Sequence, residues 1–342
     1  MRSAIVLLVD GLGSHMLAAR AGHARTLSGA RDTRLTSGFP TTTACALATL
    51  TTGSPPGLHG IVGYTALEPR SRRILNQLNG WGETLVPSEW QRSRTVFEQA
   101  AAEGIPSIAV GAARYEDSGF TEAVLRGAEY VIADRISDRL ELAQVRLDEV
   151  GGGLAYVYVP ELDQIAHKRG WESERWLAAL EDLDGVVRSF IARVRPGEGL
   201  LVTADHGMVD IPSHRHVLVD REPGLLDGVD RVAGEPRCLQ LHFAEDLGGP
   251  DREALVARWR QSEHARSWVV TRDEALKANW FGTSVDEAVV PRIGDLLVAA
   301  RKRVAYYDSR TASDSALAMV GQHGSLTAEE TIVPLIRLGA FA

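Results

Sequence analysis

Short, continuous apolar runs recur along the chain: "AIVLLV" at 4–9, "SIAVGA" at 107–112, "GLAYVYV" at 153–159 and "GLLVTA" at 199–204. Runs of this length without polar alternation suit strands buried on both faces of a parallel sheet. Between them lie helix-length segments, among them 94–103 and 172–194, which predict the covering layers. This is an α/β pattern: a doubly wound, mostly parallel central sheet flanked by helices, with ligands expected at the carboxyl ends of the strands.

After Ala204 the rhythm breaks into turn-rich sequence, then "CLQLHF" at 238–243, a helix over 251–261 and a strand-like "DLLVAA" at 295–300. The spacing predicts a smaller α+β cap inserted at 211–310. The last core strand returns at 331–339, so residues 1–210 and 311–342 form the catalytic core.

The chemistry sits at the strand ends. Asp10 and Gly11 come directly after the first run, "PELDQIAHKRG" after 153–159, and "DHGMVD" after 199–204. Asp163 and His167, at i and i+4, share one face if the segment is helical, a spacing that offers two ligands to one metal. Asp205 and His206 converge only if the strand ends there, which Gly207 eases. His323, between glycines in "GQHGS", adds another candidate before the last strand. Taken singly, each has a plain structural alternative: a turn aspartate, a solvated helix face, a loop histidine. Pooled, three aspartates and three histidines suit zinc, manganese or iron, and exceed one tetrahedral ion. Two ions sharing a phosphate match the number.

"GFPTTTACALATLTTG" at 38–53 places three threonines before an apolar stretch. The stretch predicts a buried helix from Ala44 to Thr52, ended at Gly53. Thr41 to Thr43 then lie at its N-terminus, where free N–H groups favour an anion. A threonine there, its oxygen on a metal, can act as a nucleophile.

Composition narrows the partners. A formal charge of −8 excludes binding by neutralising a nucleic-acid polymer, so the partner is a small phosphorylated molecule, a nucleotide being one candidate. Only Lys168, Lys277 and Lys302 are lysines, and neither a Walker loop nor a complete GxGxxG occurs. Cys45 and Cys238 make no disulfide framework, and no run is long enough for a signal-peptide core or a membrane span. The expected location is cytoplasmic, without a membrane partner.

Together, "LVDGLG", the threonine before "TTGSPPGLHGIVGY", "ELDQIAH", "TADHGM" and "GQHG" resemble the alkaline phosphatase superfamily, and within it the type I phosphodiesterase and nucleotide pyrophosphatase family. The motifs span residues 10–323 in the family's order. The resemblance implies one metal on Asp163, His167 and His323 and a second on Asp10, Asp205 and His206, with a nucleophile, itself a metal ligand, bridging them. Counting back from Gly53 puts that nucleophile on Thr43, with Thr42 as the alternative. The implied cofactors are two divalent ions, Zn²⁺ first and Mn²⁺ second, and the implied reaction is ester hydrolysis through a phosphothreonine.

One position departs from the family. Where its phosphodiesterases follow the nucleophile with Phe-Pro-Asn-His, "ACAL" puts Ala46 in place of the asparagine that helps hold a phosphate oxygen. A phosphomonoesterase or phosphonate hydrolase on the same site is therefore the alternative, and a non-catalytic metal- or nucleotide-binding relative the third reading. Cys45 lacks the context of a sulfatase nucleophile. In the cap, Arg237 is expected as a phosphate clamp and His216 as a substrate contact, with His214 and Glu235 as further polar candidates; for Arg237 an ion pair is the structural alternative.

Overall fold

The structure is a computed structural model describing residues 1–82 and 85–342. Its central sheet has seven strands, ordered Arg31–Thr36, Ile332–Gly339, Glu198–Thr203, Ser3–Val9, Gly153–Val159, Ser107–Gly111 and Glu129–Ile132. The five strands from Glu198–Thr203 to Glu129–Ile132 run parallel. Ile332–Gly339 runs antiparallel to both its neighbours, so the sheet is mixed.

Both sheet faces are covered, as the unbroken apolar runs require. Leu7 and Val9 point into a core built with Trp176, Leu180 and Leu183 of the helix Glu174–Ile191. Leu8, one residue out of phase, points the other way, into a core with Ala44, Leu47, Ala48 and Phe97. The helix Thr43–Thr52 is thus packed directly behind the sheet. Two of its buried hydroxyls are satisfied within the helix: Thr51 and Thr52 donate to the carbonyls of Leu47 and Ala48, at 2.9 and 2.6 Å. Thr42 caps its start, and Gly53 ends it in the left-handed conformation.

A second, six-stranded sheet is ordered Ser267–Thr271, Leu296–Ala300, Cys238–Phe243, Val229–Glu235, Thr65–Glu68 and Arg73–Asn76. The helix Gly249–Glu263 covers it through Leu255 and Trp259. Its last two strands come from 65–76, a hairpin inside the core segment 1–210. A short antiparallel pair, Val209–Asp210 with Gly321–Gln322, ties the chain just after His206 to the chain just before His323. No helix among the described residues is long and apolar enough to cross a membrane.

Candidate active site

Three neighbouring strands end on one side of the sheet, and each delivers part of the site. Ser3–Val9, in the middle, ends at Asp10; Gly153–Val159 leads into the helix Glu161–Arg169, which carries Asp163 and His167; Glu198–Thr203 ends before Asp205 and His206. Gly207 lets the last turn close. A β-carbon there would lie 2.1 Å from the Glu329 carbonyl oxygen, so no other residue fits.

Six side chains gather into two trios, Asp163 with His167 and His323, and Asp10 with Asp205 and His206. In the first, His167 Nε2 lies 3.3 Å from Asp163 Oδ1, and His323 Nε2 lies 3.9 Å from the same oxygen. In the second, His206 Nε2 is 3.5 Å from Asp10 Oδ1 and 3.4 Å from Asp205 Oδ2. The His206 and His323 rings stack with centroids 3.6 Å apart, joining the trios.

Outer contacts orient these groups. His167 Nδ1 and His323 Nδ1 each lie 2.7 Å from a carbonyl oxygen, of Gly321 and Thr41, where an N–H donates. Both Nε2 atoms then present lone pairs, 3.3 Å from each other, an arrangement that a shared cation makes favourable. Gly11 N–H and His206 N–H donate to Asp205 Oδ1, both at 3.0 Å. The Tyr158 hydroxyl donates to Asp10 Oδ2.

Asp10 Oδ1, Asp163 Oδ1 and Asp205 Oδ2 are buried with no hydrogen-bond partner. A buried acceptor left unpaired costs about 1–3 kcal/mol, and a bound cation removes that cost. The residues therefore fit two divalent ions. Electrostatics agree: burial pushes the Asp10 carboxyl well above its usual range, and the charges of Asp163 and Asp205 add to the rise. Burial also raises Asp163, against the pull of His167 and His206. Burial, with His206 and His167 beside it, holds His323 well below the ordinary imidazole value, in the neutral form a metal takes.

The three threonines have three different positions. Thr41 clasps the His323 loop, its hydroxyl donating to the Ser325 carbonyl at 2.8 Å and accepting from Gly324 N–H at 3.0 Å. Thr42 Oγ1 accepts from Cys45 N–H. Thr43 Oγ1 lies 3.3 Å from His206 Nε2, against the second trio.

Thr43 opens on a cavity of about 500 Å³ lined also by Asp10, Asp163, His167 and His323, with Tyr64, Tyr115, Tyr130, Tyr156 and Tyr158 among its walls. Neither Arg237 nor His216 lines it, which corrects the substrate contacts expected of both. Arg237 is fully buried and spends its donors on Glu330, at 3.1 and 2.7 Å, and on the carbonyls of Lys302 and Val304. It acts as a brace, because Glu330 in turn accepts Ser325 N–H at 2.9 Å beside the His323 loop. His216 packs on the Tyr307 ring, and burial lowers its pKa. Sequence reasoning missed Tyr158 and Glu330, although the parallel register that sets Tyr158 opposite Leu8 places its hydroxyl near Asp10.

A mixed sheet of this order, with such groups at its strand ends, defines the alkaline phosphatase class of α/β enzymes. The family model for type I phosphodiesterase / nucleotide pyrophosphatase matches residues 4–326, and the chain belongs to this family. Among solved structures, murine ectonucleotide pyrophosphatase / phosphodiesterase 5, as an inactive threonine-to-alanine variant in complex with AMP, matches with a TM-score of 0.77 at 17% identity, over 99% of this chain and 88% of that one. The human counterpart matches with a TM-score of 0.78 at 15% identity and the same coverage. At such identities the likeness is one of fold. A phosphopentomutase of Anaeromyxobacter sp. (strain K) is 30% identical over 115 residues, 33% of this chain and 28% of that relative's length. The matched stretch thus spans under a third of the curated relative.

Proposed function

We propose that the protein hydrolyses phosphodiesters or nucleotide pyrophosphates through a covalent phosphothreonine at Thr43. The observation that carries the reading is the convergence of Thr43 Oγ1 with two Asp–His trios whose carboxylate oxygens lack protein partners. Asp163, His167 and His323 would hold one divalent ion, and Asp10, Asp205 and His206 the other, with Thr43 between them. Zn²⁺ suits this mixed imidazole and carboxylate set first, Mn²⁺ second. When bound, the ions supply charge that lowers the pKa of oxygen nucleophiles and neutralises the phosphoryl group.

The chain's own residues do the rest. The helix Thr43–Thr52 holds the hydroxyl at its N-terminus, where free N–H groups favour an anion. Thr43 Oγ attacks phosphorus in line as the bond to the leaving oxygen breaks, and the threonine proton ends on the departing alcohol or phosphate. Water then attacks the phosphothreonine, releasing phosphate monoester and restoring the hydroxyl. The murine structural relative, inactive when a threonine becomes alanine and holding AMP, supports both the threonine and a nucleotide-type substrate. Two free, buried cysteines support a cytoplasmic location.

Ala46 favours the second reading, a phosphomonoesterase or phosphonate hydrolase, because it is buried in the helix and offers no phosphate contact. Hydrolysis of diesters, nucleotide pyrophosphates, monoesters and phosphonates by Zn²⁺- or Mn²⁺-loaded protein separates the two. Preference for monoesters or phosphonates overturns the diesterase reading.

A further inference from the structure

Every residue of the strand Arg31–Thr36 is exposed, which is true of no other strand in the central sheet. It pairs with Ile332–Gly339 along one side, and among the described residues no strand pairs with the other side. The N–H and C=O groups on that outer side form a template for another extended chain. Natural sheets commonly blunt such an edge with proline, a bulge or lysine. "RDTRLT" has neither proline nor lysine, and its register against Ile332–Gly339 runs unbroken from Arg31 to Thr36.

The order of its charges selects a partner. In an antiparallel pair, directly opposite residues must both turn their backbone groups towards each other, or both away, and residues alternate in that direction. Two copies of one strand related by a two-fold axis therefore pair only with the axis passing through a residue. An axis through Asp32 sets Asp32 against Asp32, and one through Arg34 sets Arg34 against Arg34. Through Thr33, Asp32 of each copy faces Arg34 of the other, so the ion pair forms twice. Thr33 then meets Thr33, and Leu35, 40% exposed, lies against the aliphatic stem of Arg31. Centring the axis further out shortens the ladder.

Both charged groups are available. Asp32 Oδ1 accepts Leu335 N–H at 3.2 Å, which steadies the carboxylate and leaves Oδ2 for another donor. Arg34 is exposed, and among the described residues it has no ion pair.

We propose that the protein self-associates as a two-fold dimer, pairing Arg31–Thr36 with the same strand of a second copy in antiparallel register centred on Thr33, so that the two central sheets become one. A two-fold contact closes on itself, and association stops at two copies. One strand pair buries little surface, which makes the dimer a weak one, with a dissociation constant on the order of 10–100 µM. The association needs neither metal nor substrate, so its test is independent of the hydrolase reading.

The test is sedimentation velocity on the full chain over about 1 to 500 µM. The expected result is a concentration-dependent shift from monomer to dimer with no larger species. Asp32→Arg and Arg34→Asp each place like charges opposite at two symmetric sites, and each should raise the dissociation constant about tenfold or more. Combining them restores opposite charges with positions exchanged, and should recover most of the original affinity. That recovery separates a lost contact from a disturbed strand, because the double variant carries both substitutions. A monomer at every concentration, which would leave the edge to a strand of some other protein, overturns the proposal. So does a dimer indifferent to both single substitutions, a double variant no tighter than the singles, or growth beyond two copies.

Discussion

Thr43 differs from Thr41 and Thr42 by where its oxygen points, and this gives the sharpest expectation at the scale of single residues. Thr43→Ala should lower turnover by about a thousandfold or more while metal content, measured on the purified protein, stays stoichiometric. A variant that keeps its activity would remove Thr43 from the mechanism. Tyr158 acts one step further out. Its hydroxyl donates to Asp10 Oδ2, and its own pKa is pushed well above the usual value by burial and by Asp10, so it stays a donor. Tyr158→Phe should weaken metal binding by about 10- to 100-fold, read by competition with a chelator, because the ligand it orients is left free to turn. Unchanged affinity would mean that packing alone holds Asp10.

Among the elements, the loop Gly321–Ser325 depends on a support that never meets substrate. Arg237 and Glu330 form a fully buried ion pair, and Glu330 also receives Ser325 N–H and the Thr327 hydroxyl. Arg237→Leu leaves the Glu330 carboxylate uncompensated, and should cost about 3–5 kcal/mol of stability in urea unfolding. The KM for a small aryl ester should stay near its original value in the folded fraction. A raised KM at unchanged stability would restore Arg237 as a phosphate clamp. The same elements show what was legible. Four of the five parallel strands announced themselves as unbroken apolar runs, and three of those lead into the segments that carry the aspartates and histidines; the fifth, Glu129–Ile132, is too short and too exposed to stand out. The hairpin 65–76 did not stand out either, because its four-residue strands are half polar and carry no clear period. Arg237 misled for a different reason: its partner lies 93 residues away, and separation of that kind leaves no trace in local pattern.

For the whole molecule, metal and proton compete for the same groups. Without metal, Asp10 and Asp163 have folded pKa values above their ordinary 3.8, so the folded state binds their protons more tightly than the unfolded chain does. That contribution is complete below about 3.8 and is lost as pH rises through the raised values. Bound metal requires the deprotonated carboxylates and reverses the sign. The melting temperature of metal-loaded protein should exceed that of chelator-treated protein by a margin that widens from acid towards neutral pH. A margin independent of pH would show that these carboxyls are not the ligands.

Ile332–Gly339 lies inside the central sheet, between Arg31–Thr36 and Glu198–Thr203, although it comes latest in sequence order. During synthesis the strand Arg31–Thr36 must therefore wait for this partner, its one neighbour in that sheet among the described residues, until residues 332–339 have been made. His323, just ahead of that strand, arrives equally late. A nascent chain thus offers the cell an incomplete ligand set until His323 has been made, and full metal loading has to wait for the segment that carries both His323 and the inserted strand.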